Sequence, residues 1–217
     1  MTILIGLKQD DYVLITGDTK SAHMNGNRVL GTYDSIAKVY PICENMIIGI
    51  AGSDRIGKAI VHAIKPIFSL NHKLSVKEMI QHVQKAALFL HNMYKQVHTD
   101  KDYSYSLLEL VIACMDHREN KSYLYSLSSP SGFEPVECKQ DVKVYGVKSQ
   151  KVEEFICMNM LSKEYENKNP VHLFSAGIRS IDDQFVSKDT ISFILHKDKT
   201  GDYLYVDRQG NERRMEN

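Results

Sequence analysis

The sequence predicts an α+β domain of packed layers, because its strands and helices come in segregated blocks. The period of the apolar residues carries this reading. Short apolar runs bounded by turn residues fill the first quarter, and two stretches at helical spacing follow. Strands, two more helices and closing strands complete the chain. Segregated blocks of this kind imply a layered α+β domain rather than alternating βαβ units.

The opening strands are Thr2 to Leu7 and Tyr12 to Thr16, separated by a Gln9-Asp10-Asp11 turn. The polar stretch Asp18 to Asp34, with Asn25-Gly26-Asn27 and Gly31, reads as a loop or an irregular hairpin. Ile36 to Tyr40 and Met46 to Ala51 read as two further strands, joined by a turn around Pro41 to Asn45.

After Gly52 the period changes. Ile56, Ile60, Ala63, Ile64 and Ile67 repeat at helical spacing, so a helix begins near Ser53-Asp54. Ser75 and Glu78 form a capping box for a second helix, whose apolar stripe runs from Val76 through Met79, Val83, Ala87 and Tyr94 to Val97. Leu107 to Met115, Ser122 to Ser126 and Val142 to Tyr145 return to strand, with a turn-rich segment at Ser128 to Gly132. The Tyr103-Ser104-Tyr105 cluster reads as a loop or strand edge.

A third helix covers about Ser149 to Leu161. A fourth has Asn169 as N-cap, Pro170 in its first position, and a stripe of Val171, Phe174, Ile178, Ile181 and Phe185. Thr190 to His196 and Tyr203 to Val206 are the closing strands, around a Lys199-Thr200-Gly201-Asp202 turn, and the tail from Gln209 reads as charged and frayed. With no internal repeat or linker, residues 1–217 read as one domain.

Composition narrows the function classes. The chain has 217 residues, 43% of them hydrophobic, enough for a sizeable core. Its 27 basic and 27 acidic residues cancel, so nothing in the net charge draws it to nucleic acid or to a membrane. The longest apolar runs fall short of the roughly 20 residues that span a bilayer, and the start lacks the pattern of a secretory signal. Cys43, Cys114, Cys138 and Cys157 are far apart with no CxxC spacing, so they read as reduced thiols in a cytoplasmic protein. The nine histidines show no HExxH spacing, no phosphate-binding GxxxxGK[ST] motif occurs, and Cys43 and Cys157 carry no local nucleophile signature. No cofactor or metal is expected.

The motifs placed on this layout are more specific. Thr2-Ile3-Leu4-Ile5-Gly6 opens the chain, Gly17-Asp18 ends the second strand, Lys38 lies in Ser35-Ile36-Ala37-Lys38-Val39, and Ile50-Ala51-Gly52 ends another strand. In order and nearly in spacing this resembles the proteasome β-subunit superfamily, including bacterial proteasome-like threonine peptidases. The resemblance implies a four-layer αββα sandwich of the N-terminal-nucleophile hydrolase type. It further implies a threonine endopeptidase that cleaves unfolded polypeptide inside a homo-oligomeric ring, with an ATP-dependent unfoldase as partner.

Carried over residue by residue, Thr2 is the nucleophile once Met1 is removed, its own α-amine serving as base. Lys38 is the cation beside the hydroxyl, Asp18 the acidic partner of Lys38, and Gly52 the oxyanion-hole glycine. Ser149, in Gly146-Val147-Lys148-Ser149, falls where the superfamily has a serine near the Thr amine. Two departures stand out. The Thr2–Lys38 interval is about four residues longer than in active proteasome subunits, and the later Asp-Ser-x-Ser-Gly-Gly motif is replaced by Asp182-Asp183-Gln184-Phe185-Val186-Ser187. Its acidic and hydroxyl roles pass only loosely to Asp183 and Ser187. The opening residues also resemble unprocessed, non-catalytic proteasome β subunits, which keep a similar Asp and Lys. A structural subunit is therefore the alternative, and an N-terminal-nucleophile amidohydrolase acting on a small amide is a third reading.

Overall fold

The computed structural model describes residues 2–25, 28–34, 36–71, 73–97, 107–160, 162, 164–165 and 168–215. The chain begins with β1 (Ile3–Lys8), β2 (Tyr12–Asp18), β3 (Ser21–Asn25), β4 (Arg28–Tyr33), β5 (Val39–Cys43) and β6 (Met46–Gly52). Helices α1 (Asp54–Leu70) and α2 (Val76–Val97) follow, then β7 (Leu108–Asp116), β8 (Lys121–Ser128), β9 (Val136–Glu137) and β10 (Val142–Gly146). Helices α3 (Ser149–Asn159) and α4 (Pro170–Arg179) lead to β11 (Thr190–His196), β12 (Gly201–Val206) and β13 (Glu212–Arg214). The Tyr103-Ser104-Tyr105 cluster, most of the Asn25-Gly26-Asn27 turn and Leu161 lie outside the described residues.

Two antiparallel sheets dominate. One has the order β10-β1-β2-β11-β12-β13 and the other β5-β6-β7-β8-β9, while β3 and β4 pair only with each other. Each strand of the sheet pair sends alternate residues to opposite faces. Leu4, Val13, Ile15, Ile47, Val111 and Phe193 meet between the sheets. Ile3, Ile5 and Leu14 face the other way, onto Val152, Phe174 and Ile178 of α3 and α4. Ile48, Ile50 and Ile112 face α1 and α2, onto Ile60, Ile64 and Val83. Three cores between four layers make the αββα sandwich. Both faces of the inner strands are buried, which is why they read as unbroken apolar runs; each fully buried Ile, Leu or Phe contributes roughly 1.5–3 kcal/mol.

The helix boundaries follow the sequence signals. Ser75 N–H and Oγ–H both donate to Glu78 Oε2, at 2.8 and 2.7 Å, and Glu78 N–H returns to Ser75 Oγ at 3.3 Å. Asn169 Oδ1 accepts the Val171 N–H at 3.0 Å, ahead of a helix with Pro170 in its first turn. That helix stops at Arg179, so Ile181 and Phe185 lie beyond it.

Other boundaries also differ from the sequence expectation. The strand expected from Ile36 begins only at Val39, and Pro41 is inside β5 rather than in the turn, which is Glu44-Asn45. Proline is tolerated there because β5 is an edge strand, with its register broken between Pro41 and Cys43. The polar stretch after Asp18 agrees with one of its two readings, forming the β3–β4 hairpin, irregular at His23/Met24. The tail expected to fray is instead fixed in part: Glu212–Arg214 pair with Leu204–Val206 as β13. Their side chains are exposed, so the pairing is carried by backbone bonds that leave no apolar pattern.

Candidate active site at the open end of the two sheets

Antiparallel order brings the start of β1 beside the end of β2. Leu4 pairs with Gly17 and the next position outward sets Ile3 beside Asp18. Thr2, just before β1, is buried, as are Asp18 and Lys38. Lys38 reaches this end because its segment is fastened at both sides. Ile36 N–H donates to Thr19 O at 2.8 Å, and Lys38 O accepts Ile50 N–H at 2.8 Å. The residues between therefore cross from one sheet to the other, carrying the lysine into the gap.

Asp18 is the hub. Its Oδ1 accepts Lys38 Nζ at 2.9 Å and the Ile3 N–H at 3.0 Å. Its Oδ2 accepts the Lys20 N–H at 3.1 Å and the Ser187 N–H at 3.3 Å. Four donors, one of them charged, satisfy a fully buried carboxylate that would otherwise be costly to bury. Burial pushes the Lys38 ammonium below its ordinary range, and the Asp18 carboxylate opposes that shift. A lysine so placed loses a proton more readily than one in water.

The carbonyl of Thr2 is held as well, accepting the Val147 N–H at 3.1 Å. Both polar groups of the Thr2–Ile3 peptide are thus fixed, the carbonyl by Val147 and the N–H by Asp18. Gly146, paired with Ile3, has φ 93°, and a Cβ there would collide with the Thr2 carbonyl oxygen. Gly52 has the same need at the end of β6. Its φ is 95°, a Cβ would strike Leu107 O, and the next residue donates Ser53 N–H to that oxygen at 2.9 Å. Gly52 is exposed, at the same end of the molecule as Lys38, whose carbonyl is bonded two residues before it on β6.

Thr2, Asp18 and Lys38 are therefore brought together, and Gly52 borders them. Ser149 is half-buried at the first turn of α3, and the peptide that meets Thr2 belongs to Val147, two residues earlier. Ser187 joins the hub through its backbone, while its Oγ accepts Thr19 Oγ1 at 3.1 Å and the Asp189 N–H at 3.0 Å. Asp183 caps the Phe185 N–H at 2.8 Å and pairs with Lys148 Nζ at 3.2 Å. Thr19, Val147 and Lys148 were not singled out from sequence. A Thr after an Asp and a Lys before a helix carry no local signal of these contacts.

The family model described as proteasome subunit matches residues 2–193. The chain belongs to the proteasome subunit family. No curated protein sequence matches it. Membership and the four layers together establish the α+β sandwich of N-terminal-nucleophile hydrolases. At family level the chain is a proteasome-like subunit, of a kind that assembles with like subunits into rings. Among the described residues no helix is long and apolar enough to cross a membrane.

Proposed function

We propose that this proteasome subunit is a threonine peptidase that cleaves unfolded polypeptide within an oligomeric ring, with Thr2 as nucleophile. The observation that carries the reading is the sharing of one oxygen, Asp18 Oδ1, between Lys38 Nζ and the peptide N–H that follows Thr2. This arrangement fixes a buried threonine and a buried, desolvated lysine against a single acceptor. With everything before Thr2 removed, its α-amine takes the proton of its own hydroxyl, directly or through one water. The Thr2 oxygen attacks the scissile carbonyl, Lys38 stabilises the developing charge, and the Gly52 N–H receives the oxyanion. The tetrahedral intermediate collapses with cleavage of the C–N bond, the leaving amine taking the proton held by the Thr2 ammonium. Water then hydrolyses the acyl-enzyme ester to release the acid and regenerate Thr2. The wider reading keeps an ATP-dependent unfoldase as the feeding partner, a cytoplasmic setting, and Ser149 as a hydroxyl near the amine.

One observation favours the second reading, a structural subunit without chemistry. Asp183, which replaces part of the motif that supports the amine in active subunits, is engaged by Lys148 and the Phe185 N–H. Intact mass spectrometry after treatment with a peptide epoxyketone separates the readings, because that warhead closes on hydroxyl and amine together. The peptidase reading expects a Thr2 amino terminus, one adduct on Thr2, loss of adduct and turnover in Thr2→Ala, and partial retention in Thr2→Ser. Absence of both adduct and peptide turnover, with or without an unfoldase, identifies the structural subunit. Turnover of small amides but not of peptides identifies an amidohydrolase.

A further inference from the structure

Lys148 is one of four described non-glycine residues with positive φ, at 53°, and it occupies the N-cap of α3. A side chain in that region is strained unless its surroundings hold it there. Here its Nζ donates to Asp182 O at 2.7 Å and pairs with Asp183 Oδ2 at 3.2 Å. Left-handed backbone at residue 148 thus coincides with a side chain that spans from the β10–α3 turn to the segment after α4.

The contacts on either side form a closed circuit around Thr2. Thr2 O accepts the N–H of Val147, the neighbour of Lys148. Lys148 holds Asp183, whose Oδ1 accepts the Phe185 N–H and whose carbonyl accepts the Val186 N–H at 3.1 Å. The next residue, Ser187, donates its N–H to Asp18 Oδ2, and Asp18 Oδ1 accepts the Ile3 N–H. The path leaves the Thr2–Ile3 peptide by its carbonyl and returns to it by its N–H. Within it the Lys148–Asp183 ion pair is the one link made between two side chains, and the lysine is about a third exposed (37%). Arg208 fastens the far end of the same segment, through Asp189 Oδ2 at 3.3 Å.

We propose that Lys148 is a positioning residue that closes this circuit, locking the 182–187 segment so that Ser187 and Val147 hold Asp18 and Thr2 in register. The catalytic consequence rests on the peptidase reading, whereas the locking itself does not. Glycine is at ease at positive φ, so Lys148→Gly removes the cation while relieving the backbone. Loss of packing and loss of positioning then separate.

The test compares wild type, Lys148→Gly and Lys148→Arg by hydrogen exchange, thermal melting and peptide turnover. In Lys148→Gly, amides of residues 183–187 are expected to exchange several-fold faster at an unchanged melting temperature. Its kcat should fall about ten- to a hundred-fold at constant KM, in the range that a small misplacement of reacting groups costs. Lys148→Arg keeps a cation in reach and should restore most of the protection and most of kcat. Raised salt should speed exchange of the segment in wild type and leave Lys148→Gly unaffected. Wild-type exchange in Lys148→Gly overturns the proposal, and so does faster exchange with undiminished kcat in an active enzyme. A wild type with neither turnover nor Thr2 labelling fails the peptidase reading alone, and the exchange arm then decides the circuit.

Discussion

Asp18 Oδ1 binds Lys38 Nζ at 2.9 Å while the same oxygen accepts the peptide N–H of Ile3. The carboxylate thereby couples the charge of the site to the backbone position of its nucleophile. Replacing Asp18 with Asn leaves the buried lysine without a counter-charge and turns an NH2 group toward donors. Breaking a buried pair in this way costs about 3–5 kcal/mol. Asp18→Asn should therefore lower the urea midpoint markedly and abolish Thr2 labelling. A midpoint equal to wild type would show that the pair contributes nothing to folding.

Removal of the lysine should separate activity from stability. In Lys38→Ala the Asp18 carboxylate keeps three peptide N–H donors, from Ile3, Lys20 and Ser187. Folding should persist, while kcat drops about 10²–10³-fold, as for loss of one oxyanion donor. Lys38→Arg should not restore it, since a guanidinium is planar, larger and held permanently charged. Peptide turnover equal to wild type in Lys38→Ala would remove lysine from the mechanism.

The pH dependence of stability tests the environment of Lys38 directly. Burial lowers its proton affinity in the folded protein. Between that lowered value and the ordinary lysine value of about 10.4, the unfolded chain binds more protons than the folded one. Stability contributed by this group therefore rises with pH across that window. Urea midpoints taken from neutral pH into the alkaline range should show wild type gaining on Lys38→Met. A loss relative to Lys38→Met over the same range would mean that Asp18 outweighs burial.

Two glycines distinguish positioning of the nucleophile from positioning of the oxyanion donor. Gly146→Ala places a methyl group against the Thr2 carbonyl, and Gly52→Ala places one against Leu107 O. Each combines a strained φ with a steric conflict and should cost on the order of 1–3 kcal/mol. Gly146→Ala should lose epoxyketone labelling, because Thr2 itself moves. Gly52→Ala should still be labelled, though slowly, while turnover collapses. Identical behaviour of the two variants would contradict these separate roles.

Ser75→Ala serves as a control remote from the site. It removes the hydroxyl that accepts the Glu78 N–H at the start of α2. A cost of about 1 kcal/mol in urea denaturation is expected. Thr2 labelling should be unchanged.

Much of this architecture was legible in the chain. The helix starts were readable because a capping box and an Asn-Pro pair act over three residues or fewer, within reach of local sequence. Thr2, Asp18, Lys38 and Gly52 were readable only as a pattern of motifs resembling a family. Individually a strand threonine, a turn aspartate and a strand-flanking lysine are commonplace. Local sequence carries no sign of the places where backbone rather than side chain does the bonding: β13, the start of β5, and the Val147 and Ser187 peptides around the site.

The sequence by itself determined the order of the blocks, the helix caps and the alternation that buries both faces of the inner strands. Those are properties of period and of neighbours within a few positions. Only the tertiary structure set the Lys38–Asp18 pair, implied by the resemblance, at 2.9 Å, put the Val147 N–H on the Thr2 carbonyl, and paired Asp183 with Lys148. These partners come from segments 20 to 145 positions apart, as the numbering of Lys38–Asp18 and Val147–Thr2 shows. Sheet register and the crossing between sheets bring them within 3.2 Å, and neither is written in any local stretch of residues.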